Sequence, residues 1–397
     1  MSLRERYLFK GHENPMAKRI VLITGVMRSG TSILARIVAS LGSMELAYEP
    51  WPFMLLTVLG HDGVFKPDIA GMSLQKCCDE ILLHSLLGRS VNMRPDESST
   101  VFNFLSRKEL KGRWKHLKSR SDAMEYARKN HTSLVIKSTN LQPYYPFLLA
   151  ALPGLKIIHI VRNGIDVSTS TVKKGWYSDA GLEAPISMLS KVVTDAQDKV
   201  FDVPYYFSKQ KAEAFQKASH FGRCLMAWMD LIGQNQKWVK RLNLASSERY
   251  YELKYEDLLA SPRPIVNELA GFLDTRPTQR TFQCLKSLRR PEHQVPRLVQ
   301  GTQVPSRRPE RQVPRLVQGT QVSSRRPEHQ VPRLVLGTQV PSRRPEHQEI
   351  FFKEALTHLD PKTLRQFKRL MKSHGYPFPV QAVQSQRRKK GVSLLSH

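Results

Sequence analysis

The sequence predicts an α/β fold in which a parallel sheet is flanked by helices. Short apolar runs at 20–23, 133–137 and 156–161 lack alternation, which is typical of strands buried on both faces of such a sheet. Helical spacing of apolar residues follows the first run, and alternation of strands with helices favours a parallel arrangement. The length of 397 residues suits one such domain with insertions.

The stretch from Arg19 to Gly42 contains a strand, a tight loop and a helix. Ile20–Ile23 predict the strand, glycines at positions 25 and 30 bound the loop, and helical spacing begins at Thr31. The first N–H groups of a helix have no internal partners, and the helix dipole favours an anion there. The stretch therefore predicts a cradle for a phosphate group.

The spacing of Gly25, Gly30, Thr31 and Ser32 nearly matches the nucleotide-binding P-loop. The lysine that should follow the second glycine is replaced by Thr31, and the cation lies inside the loop at Arg28. Since a P-loop hydrolase needs that lysine on the β- and γ-phosphates, the sequence predicts a P-loop-like site for a ligand other than a nucleoside triphosphate. The alternative is a structural turn without a ligand.

A second strand is predicted at Met44–Tyr48, and Glu49 follows it directly. Pro50 keeps Glu49 out of the helical region, so that the carboxylate lies at a strand end, where α/β proteins build their sites. Glu49 is therefore a candidate general base, and the alternative is a surface glutamate that caps the next helix. Residues 51–132 are mostly helical by pattern.

The strand at 133–137 ends in Lys137, which is a candidate for contact with a transferred anionic group. The alternative is a strand-end lysine that points to water. The strand at 156–161 is followed by Arg162, and Asn163 is a plausible cap for the next helix. We expect Arg162 and Ser170, two helical turns later, to converge on one phosphate, with a salt bridge and a surface serine as the alternative.

The pattern of residues 182–244 predicts helices, the last at about 221–242. An alternating strand and a turn are predicted at Arg249–Leu258, before a helix at Pro262–Leu273. We expect Glu256-Asp257 to cap and brace that following helix.

Three of these segments resemble motifs of the sulfotransferases that use 3′-phosphoadenosine 5′-phosphosulfate (PAPS). Gly25–Ser32, GVMRSGTS, is similar to their 5′-phosphosulfate loop. Lys156–Ser170 is similar to their 3′-phosphate motif, in which a strand ends in arginine and a serine follows eight residues later. Arg249–Leu258 resembles their Tyr-Glu-Asp segment, whose tyrosine reaches the adenine. The resemblance covers segments within residues 19–273 and within residues 349–376.

The resemblance implies a P-loop-like fold, PAPS as the donor and no metal. It implies that the 5′ end of the donor is held by Arg28, Ser29, Gly30, Thr31 and Ser32. It implies that the 3′-phosphate and the adenine are held by Arg162, Ser170 and Tyr255.

The sequence departs from one branch of the family at the position of the general base. Cytosolic sulfotransferases end the strand corresponding to 133–137 in Lys-Thr-His, whose histidine is the base, but this sequence has Thr139 there. Threonine cannot accept a proton at neutral pH. Tyrosyl and carbohydrate sulfotransferases carry a glutamate or Glu-Pro pair at a position like that of Glu49, which implies this residue as the base. Arg28 and Lys137 are implied to offset charge on the sulfuryl oxygens and the leaving phosphate.

The acceptor implied is a hydroxyl or amine on a small molecule, glycan, lipid or peptide. The sequence does not identify it, because no motif is visible in 51–132. The oligomeric state is also not predicted.

An 18-residue unit, RRPEHQVPRLVQGTQVPS, recurs almost unchanged from Arg289, Arg307 and Arg325. Each copy has few aliphatic residues and no aromatic residue, so we expect a disordered spacer. The spacer occupies the interval where the family carries a loop that closes over the 3′-phosphate. The predicted organisation is an N-terminal extension (1–18), a sulfotransferase domain (19–288), the repeats (289–348), the C-terminal helix of the domain (349–378) and a basic tail (379–397).

The formal net charge of +28 is typical of proteins that bind nucleic acid, but the cations are distributed over the repeats, the tail and the domain. We therefore expect no nucleic-acid partner and no single basic face. Four cysteines without ligand spacing, and the lack of an apolar membrane span or signal, predict a cytoplasmic protein. The alternative functions are a nucleotide kinase with a degenerate P-loop and an inactive sulfotransferase scaffold that binds polyanions.

Overall fold

A five-stranded parallel sheet forms the centre of the computed structural model. The strands of the described residues are β1 (Ile20–Gly25), β2 (Met44–Tyr48), β3 (Ser133–Lys137), β4 (Leu155–Val161), β5 (Ser190–Thr194), β6 (Val200–Pro204) and β7 (Tyr250–Lys254). The sheet has the order β2-β3-β1-β4-β7, and every neighbouring pair is parallel. This arrangement confirms the predicted fold class.

The structure describes residues 19–95, 97, 99–103, 105–183, 190–194, 200–207, 211–287 and 361–376. The predicted N-terminal extension, the repeats at 289–348 and the basic tail at 379–397 lie outside these residues. The predicted domain boundaries therefore stay predictions.

Helices cover the sheet and connect its strands. They are α1 (Thr31–Ala39), α2 (Trp51–His61), α3 (Pro67–Leu86), α4 (Arg107–His116), α5 (Arg120–Lys129), α6 (Tyr145–Ala151), α7 (Gly164–Val172), α8 (Asp179–Glu183), α9 (Ala212–Lys217), α10 (His220–Arg241), α11 (Tyr255–Ala260), α12 (Pro262–Phe272), α13 (Gln279–Ser287) and α14 (Pro361–Ser373). None of the helices in the described ranges is both long and apolar enough to cross a lipid bilayer.

The central strand β1 is buried along its whole length, as its unbroken apolar run predicted. It lies between β3 and β4, and Ile23 pairs with both Lys137 and Ile158. A Cβ atom at Gly25 would lie 2.4 Å from the carbonyl oxygen of Ile160, so only glycine fits this close approach of two strands. The strands therefore end at one common edge of the sheet.

The prediction that 182–244 is helical throughout was wrong. Strands β5 and β6 within it form an antiparallel pair, with Val192 opposite Asp202. β5 contains Val192, Val193 and Thr194, which are β-branched residues that favour strands. The turn predicted after β7 is also wrong, because α11 begins at Tyr255 directly after the strand.

A polar cluster ties β4, β7 and α10 together. The Nδ1 atom of the fully buried His159 lies 3.0 Å from Oε2 of Glu252, and the same oxygen accepts hydrogen bonds from Asn235 Nδ2 at 2.8 Å and the Tyr250 hydroxyl at 2.7 Å. Burial acts to raise the pKa of the Glu252 carboxyl, but the hydrogen bond and charge of His159 and the hydroxyl of Tyr250 outweigh it and lower the pKa to about 2.

We predict that Glu252→Gln lowers the free energy of unfolding at neutral pH by about 1–2 kcal/mol, because the charged acceptor of three hydrogen bonds is lost. The pKa of Glu252 is lower in the folded chain than its ordinary value of 4.5, so its contribution is present above about pH 4.5 and is lost as the pH falls towards 2. Urea titrations between pH 7 and pH 2.5 measure both effects. The wild-type advantage should shrink with acid, and Glu248→Gln, an exposed control, should change little. An advantage independent of pH would contradict the assignment.

Candidate functional site

The loop between β1 and α1 is tightly wound. Arg28 and Gly30 both have left-handed backbones, with φ values of 70° and 96°. A Cβ atom at Gly30 would lie 2.4 Å from the ring of Tyr255, so the loop passes directly beneath that aromatic ring. Glycine at 30 is therefore required by both the conformation and the contact.

The start of α1 follows this loop, as expected for an anion cradle. Thr31 opens the helix, and the N–H groups of Ile33 and Leu34 are the first to bond back, at 3.1 Å to the carbonyl of Gly30. The Ser29 side chain is fully buried, and its hydroxyl has no hydrogen-bond partner among the described residues. The contact of Ser29 with the 5′ end of the donor stays a prediction.

Two guanidinium groups from distant parts of the sequence meet at this loop. Arg28 Nε donates to Ser170 Oγ at 3.0 Å across 142 residues, and Arg162 Nη1 donates to the carbonyl oxygen of Arg28 at 3.1 Å. Burial, followed by the charge of Arg162, lowers the pKa of Arg28. Ser170 thus contacts the side chain of Arg28, and Arg162 contacts its backbone carbonyl. The convergence of Arg162 and Ser170 on one phosphate stays a prediction.

The surroundings of these cations are mostly aromatic. The Arg162 guanidinium carbon lies 4.5 Å from the ring centre of Tyr255, and that of Arg28 lies 5.9 Å from the ring of Trp176. The salt bridge considered as an alternative is long, at 3.9 Å from Arg162 to Asp166. Adjacent like charges repel each other, so this end of the site is suited to an anion.

A carboxylate and an amine meet at the other end of the same sheet edge. Lys137 Nζ donates to Glu49 Oε1, and the Glu49 N–H donates to the carbonyl of Lys137 at 2.7 Å. The Lys137 side chain is 5% exposed and that of Glu49 is 51% exposed. The amine therefore does not point to water, and Glu49 makes no capping bond to α2.

Tyr48 joins the two ends of the site. Its hydroxyl donates to Ser32 Oγ at the start of α1, and Lys137 Nζ lies 4.6 Å from its ring centre. Glu49, like Arg28, has a left-handed backbone, with a φ of 48°. Strain of this kind costs about 1–3 kcal/mol and is common at functional sites.

The sequence did not identify Asn140 as part of the site. Its Oδ1 accepts the N–H of Met27 at 3.2 Å, and its own N–H donates to the carbonyl of Gly25 at 3.0 Å. Asn140 is buried, has a φ of 62° and accepts the Tyr205 hydroxyl on its carbonyl at 3.3 Å. The available signal was an asparagine just after a strand, since asparagine tolerates the left-handed region. Asn140 thus anchors the loop to β3.

Aromatic residues line the interior beside Asn140. Tyr205 stacks on Tyr144 with ring centres 5.9 Å apart, and the edge of His61 meets Tyr144 at 4.9 Å. The hydroxyls of Tyr177 and Tyr206 lie 2.6 Å apart. The sequence gave no sign of this cluster, because its members come from α2, a turn before α6, and the segments after α7 and β6.

Glu256, the first residue of the acidic pair after β7, does not brace the following helix as expected. Glu256 Oε1 accepts the N–H of Asn163 at 3.1 Å, and its Oε2 accepts the hydroxyl of Tyr376 at 2.9 Å. Asn163 itself caps α7, as predicted, by accepting the N–H of Ile165 at 2.9 Å. Glu256 therefore links the Arg162 corner to the residues just after α14.

Within the described ranges, no group of three or more His, Cys, Asp or Glu side chains is arranged to hold a metal ion. The four cysteines, all of which are described, are free.

The family model described as the sulfotransferase family matches residues 21–279. No curated protein sequence matches the chain significantly.

Solved structures similar to the chain include the following three. The sulfotransferase domain from the curacin biosynthetic pathway is 16% identical, with a TM-score of 0.36, and the match covers 67% of this chain and 77% of that chain. Sulfotransferase STF1 from Mycobacterium tuberculosis H37Rv is 13% identical, with a TM-score of 0.34 and coverage of 71% and 74%. Retinol dehydratase in a complex with retinol and PAP is 14% identical, with a TM-score of 0.29 and coverage of 70% and 66%.

We predict that Asn140→Ala destabilises the chain by about 2–4 kcal/mol, because a buried hydrogen bond is lost and a left-handed backbone is forced on alanine. Asn140→Gly removes the same hydrogen bond without the strain, so it should cost about 1–2 kcal/mol. Urea unfolding gives both energies, and hydrogen exchange at the Met27 amide should accelerate in both variants. Equal stability of both variants and wild type, with unchanged exchange at Met27, would contradict the anchoring role.

Proposed function

The chain belongs to the sulfotransferase family, and from this premise we propose that it transfers a sulfuryl group from PAPS to a hydroxyl or amine, leaving adenosine 3′,5′-bisphosphate. The observation that carries the proposal is the contact of Arg28 with Ser170 and Arg162. Two cations share one corner of the site at the cost of mutual repulsion, which a bound phosphate would offset.

The residues around the loop fit the two ends of such a donor. PAPS, when bound, supplies the sulfuryl group and a phosphate leaving group. The N–H groups of Gly30, Thr31 and Ser32 face the 5′ end, since the first turn of α1 leaves its donors unpaired. Arg28 is shared between that end and the 3′ corner, where Arg162 and Ser170 stand. In this assignment Ser29 contributes its backbone, because its side chain is buried.

The ring of Tyr255 completes the donor site. It lies against Gly30 and also contacts the Arg162 guanidinium. An aromatic ring held between the loop and the 3′ corner is suited to contact with the adenine. A side chain longer than glycine at 30 would collide with this ring.

Glu49 is the proposed general base. The acceptor hydroxyl or amine loses its proton to the Glu49 carboxylate, the freed lone pair forms a bond to sulfur, and the bond from sulfur to the phosphate oxygen breaks. Half of the Glu49 side chain is exposed, which leaves room for an acceptor, while the buried Lys137 holds one carboxylate oxygen. Arg28 and Lys137 offset the negative charge on the sulfuryl oxygens and the departing phosphate.

The acceptor class and location are also proposals. A small molecule, a glycan, a lipid or a peptide would each present a suitable hydroxyl or amine. The cytoplasmic location rests on the free cysteines, which are typical of a reducing compartment.

We predict that Arg28→Ala and Arg162→Ala each weaken the binding of adenosine 3′,5′-bisphosphate by roughly tenfold to a hundredfold, since each removes a charge-assisted contact worth about 1.5–3 kcal/mol. Isothermal titration calorimetry measures the affinities. Arg128→Ala, which removes an exposed arginine from the end of α5, is the matched control and should leave the affinity unchanged. Wild-type affinity in both site variants would rule out the donor site.

We predict that Glu49→Gln lowers the turnover number by about 10²- to 10⁴-fold with nearly unchanged nucleotide affinity, because glutamine keeps an oxygen for Lys137 but cannot accept the proton. Transfer of labelled sulfate from PAPS to a panel of glycans, lipids, phenols and peptides provides the assay. Glu125→Gln on α5 is the exposed control. If turnover of the Glu49 variant equals that of wild type, another group is the base.

A further inference from the structure

The peptide group between Arg162 and Asn163 is fixed at both of its polar atoms. Its carbonyl oxygen accepts the indole N–H of Trp228 at 3.2 Å, and its N–H donates to Glu256 Oε1 at 3.1 Å. A Cβ atom at the next residue, Gly164, would lie 2.8 Å from the Trp228 ring, so the chain passes directly against the indole. Because both polar atoms are paired, this peptide group cannot rotate without breaking a hydrogen bond.

Both partners of this peptide group are held in turn by α14 and the residues that follow it. Phe367 of α14 meets the Trp228 ring edge to face, with ring centres 5.8 Å apart. Tyr376, three residues after α14, donates its hydroxyl to Glu256 Oε2 at 2.9 Å. Phe367 is fully buried, and Tyr376 is 8% exposed. The peptide group is therefore supported from the C-terminal part of the domain along two separate routes.

The side chain of Arg162 has few contacts that fix its direction. Its Nη1 donates to the carbonyl of Arg28 at 3.1 Å, and its Nη2 lies 3.9 Å from the carboxylate of Asp166. Its Nε is buried and has no hydrogen-bond partner among the described residues. The ring of Tyr255, 4.5 Å from the guanidinium carbon, belongs to the residue before Glu256. The direction of the guanidinium therefore depends on the backbone from which it extends.

The charge of Glu256 is unfavourable for an anion at this corner, because a carboxylate repels a phosphate group. Burial, and after it the charge of Glu256, raises the pKa of Tyr376, so the hydroxyl keeps its proton and remains a donor. The carboxylate accepts one hydrogen bond on each oxygen, from Asn163 and from Tyr376. These two bonds point to a role of Glu256 in position rather than in charge.

We propose that Tyr376 and Glu256 are positioning residues that act through Arg162. By fixing the peptide group after Arg162, they direct its guanidinium towards the phosphate at the corner of Arg28 and Ser170. Their role rests on the proposed function, because that phosphate is the 3′-phosphate of the same donor. Both residues act without contact with the nucleotide. Selectivity for a 3′-phosphate thus depends on a residue that follows the repeats in the sequence.

Isothermal titration calorimetry of the full chain with adenosine 3′,5′-bisphosphate and with adenosine 5′-monophosphate tests this role. We expect Tyr376→Phe, which keeps the buried ring and removes the hydroxyl, to weaken bisphosphate binding about threefold to tenfold, the range of one hydrogen bond. Affinity for the monophosphate should stay that of wild type, because it lacks the group that Arg162 holds. A general loosening of the site would instead weaken the binding of both nucleotides equally.

The variant Glu256→Gln gives a second test, which also serves if Tyr376→Phe does not fold. If the carboxylate acted only through its charge, its removal would tighten bisphosphate binding. We expect weaker binding, because the amide nitrogen of glutamine cannot accept a hydrogen bond and one of the two bonds is lost. The two explanations therefore predict changes of opposite sign.

The matched control is Tyr251→Phe, which removes another tyrosine-to-glutamate hydrogen bond. Tyr251 of β7 donates to Glu268 of α12 at 2.6 Å. Its loss should leave the ratio of the two affinities unchanged. An unchanged ratio in Tyr376→Phe, an equal change in Tyr251→Phe, or tighter or unchanged bisphosphate binding by Glu256→Gln would overturn the positioning role. Equal affinity of wild type for the two nucleotides would remove the proposed donor site, and the positioning role with it.

Discussion

The common carboxyl edge of the five parallel strands is the constraint on which the rest of the structure depends. Because β1 pairs with β3 on one side and β4 on the other, the residues that follow these strands emerge together. More than a hundred positions separate Arg28 from Arg162 in the sequence, and Lys137 lies between them. All three residues nevertheless follow or end strands at this edge. Gly25 makes the arrangement possible, since any side chain there would collide with the carbonyl of Ile160 on β4.

The two ends of that edge differ in the balance of their charges. At one end Glu49 and Lys137 neutralise each other, so the amine can be buried at little cost in unpaired charge. At the other, Arg28 and Arg162 lie side by side, and the one carboxylate paired with them among the described residues is that of Asp166, 3.9 Å from Arg162. The charges at the first end cancel, whereas the second end keeps an excess of positive charge. Tyr48 couples them, because it contacts both Ser32 and Lys137.

The backbone conformation at this edge is also unusual. Arg28, Glu49 and Asn140 all adopt left-handed conformations, which side chains other than glycine rarely do, and all three lie at the ends of neighbouring strands. The buried core beneath them holds these positions, since strained residues persist only where surrounding contacts outweigh the strain.

The sequence by itself determined the parallel sheet, the loop of Gly25–Gly30 and the cations that follow or end β1, β3 and β4, because burial, glycine spacing and strand-end cations are local signals. It did not reveal Asn140, the direction of Glu256 or the antiparallel pair of β5 and β6, which depend on partners far along the chain. Only the tertiary structure decided that Ser170 meets Arg28 and that Glu49 meets Lys137. Contacts between side chains separated by some ninety to a hundred and forty residues follow from strand order and register, and no pattern within one segment encodes them.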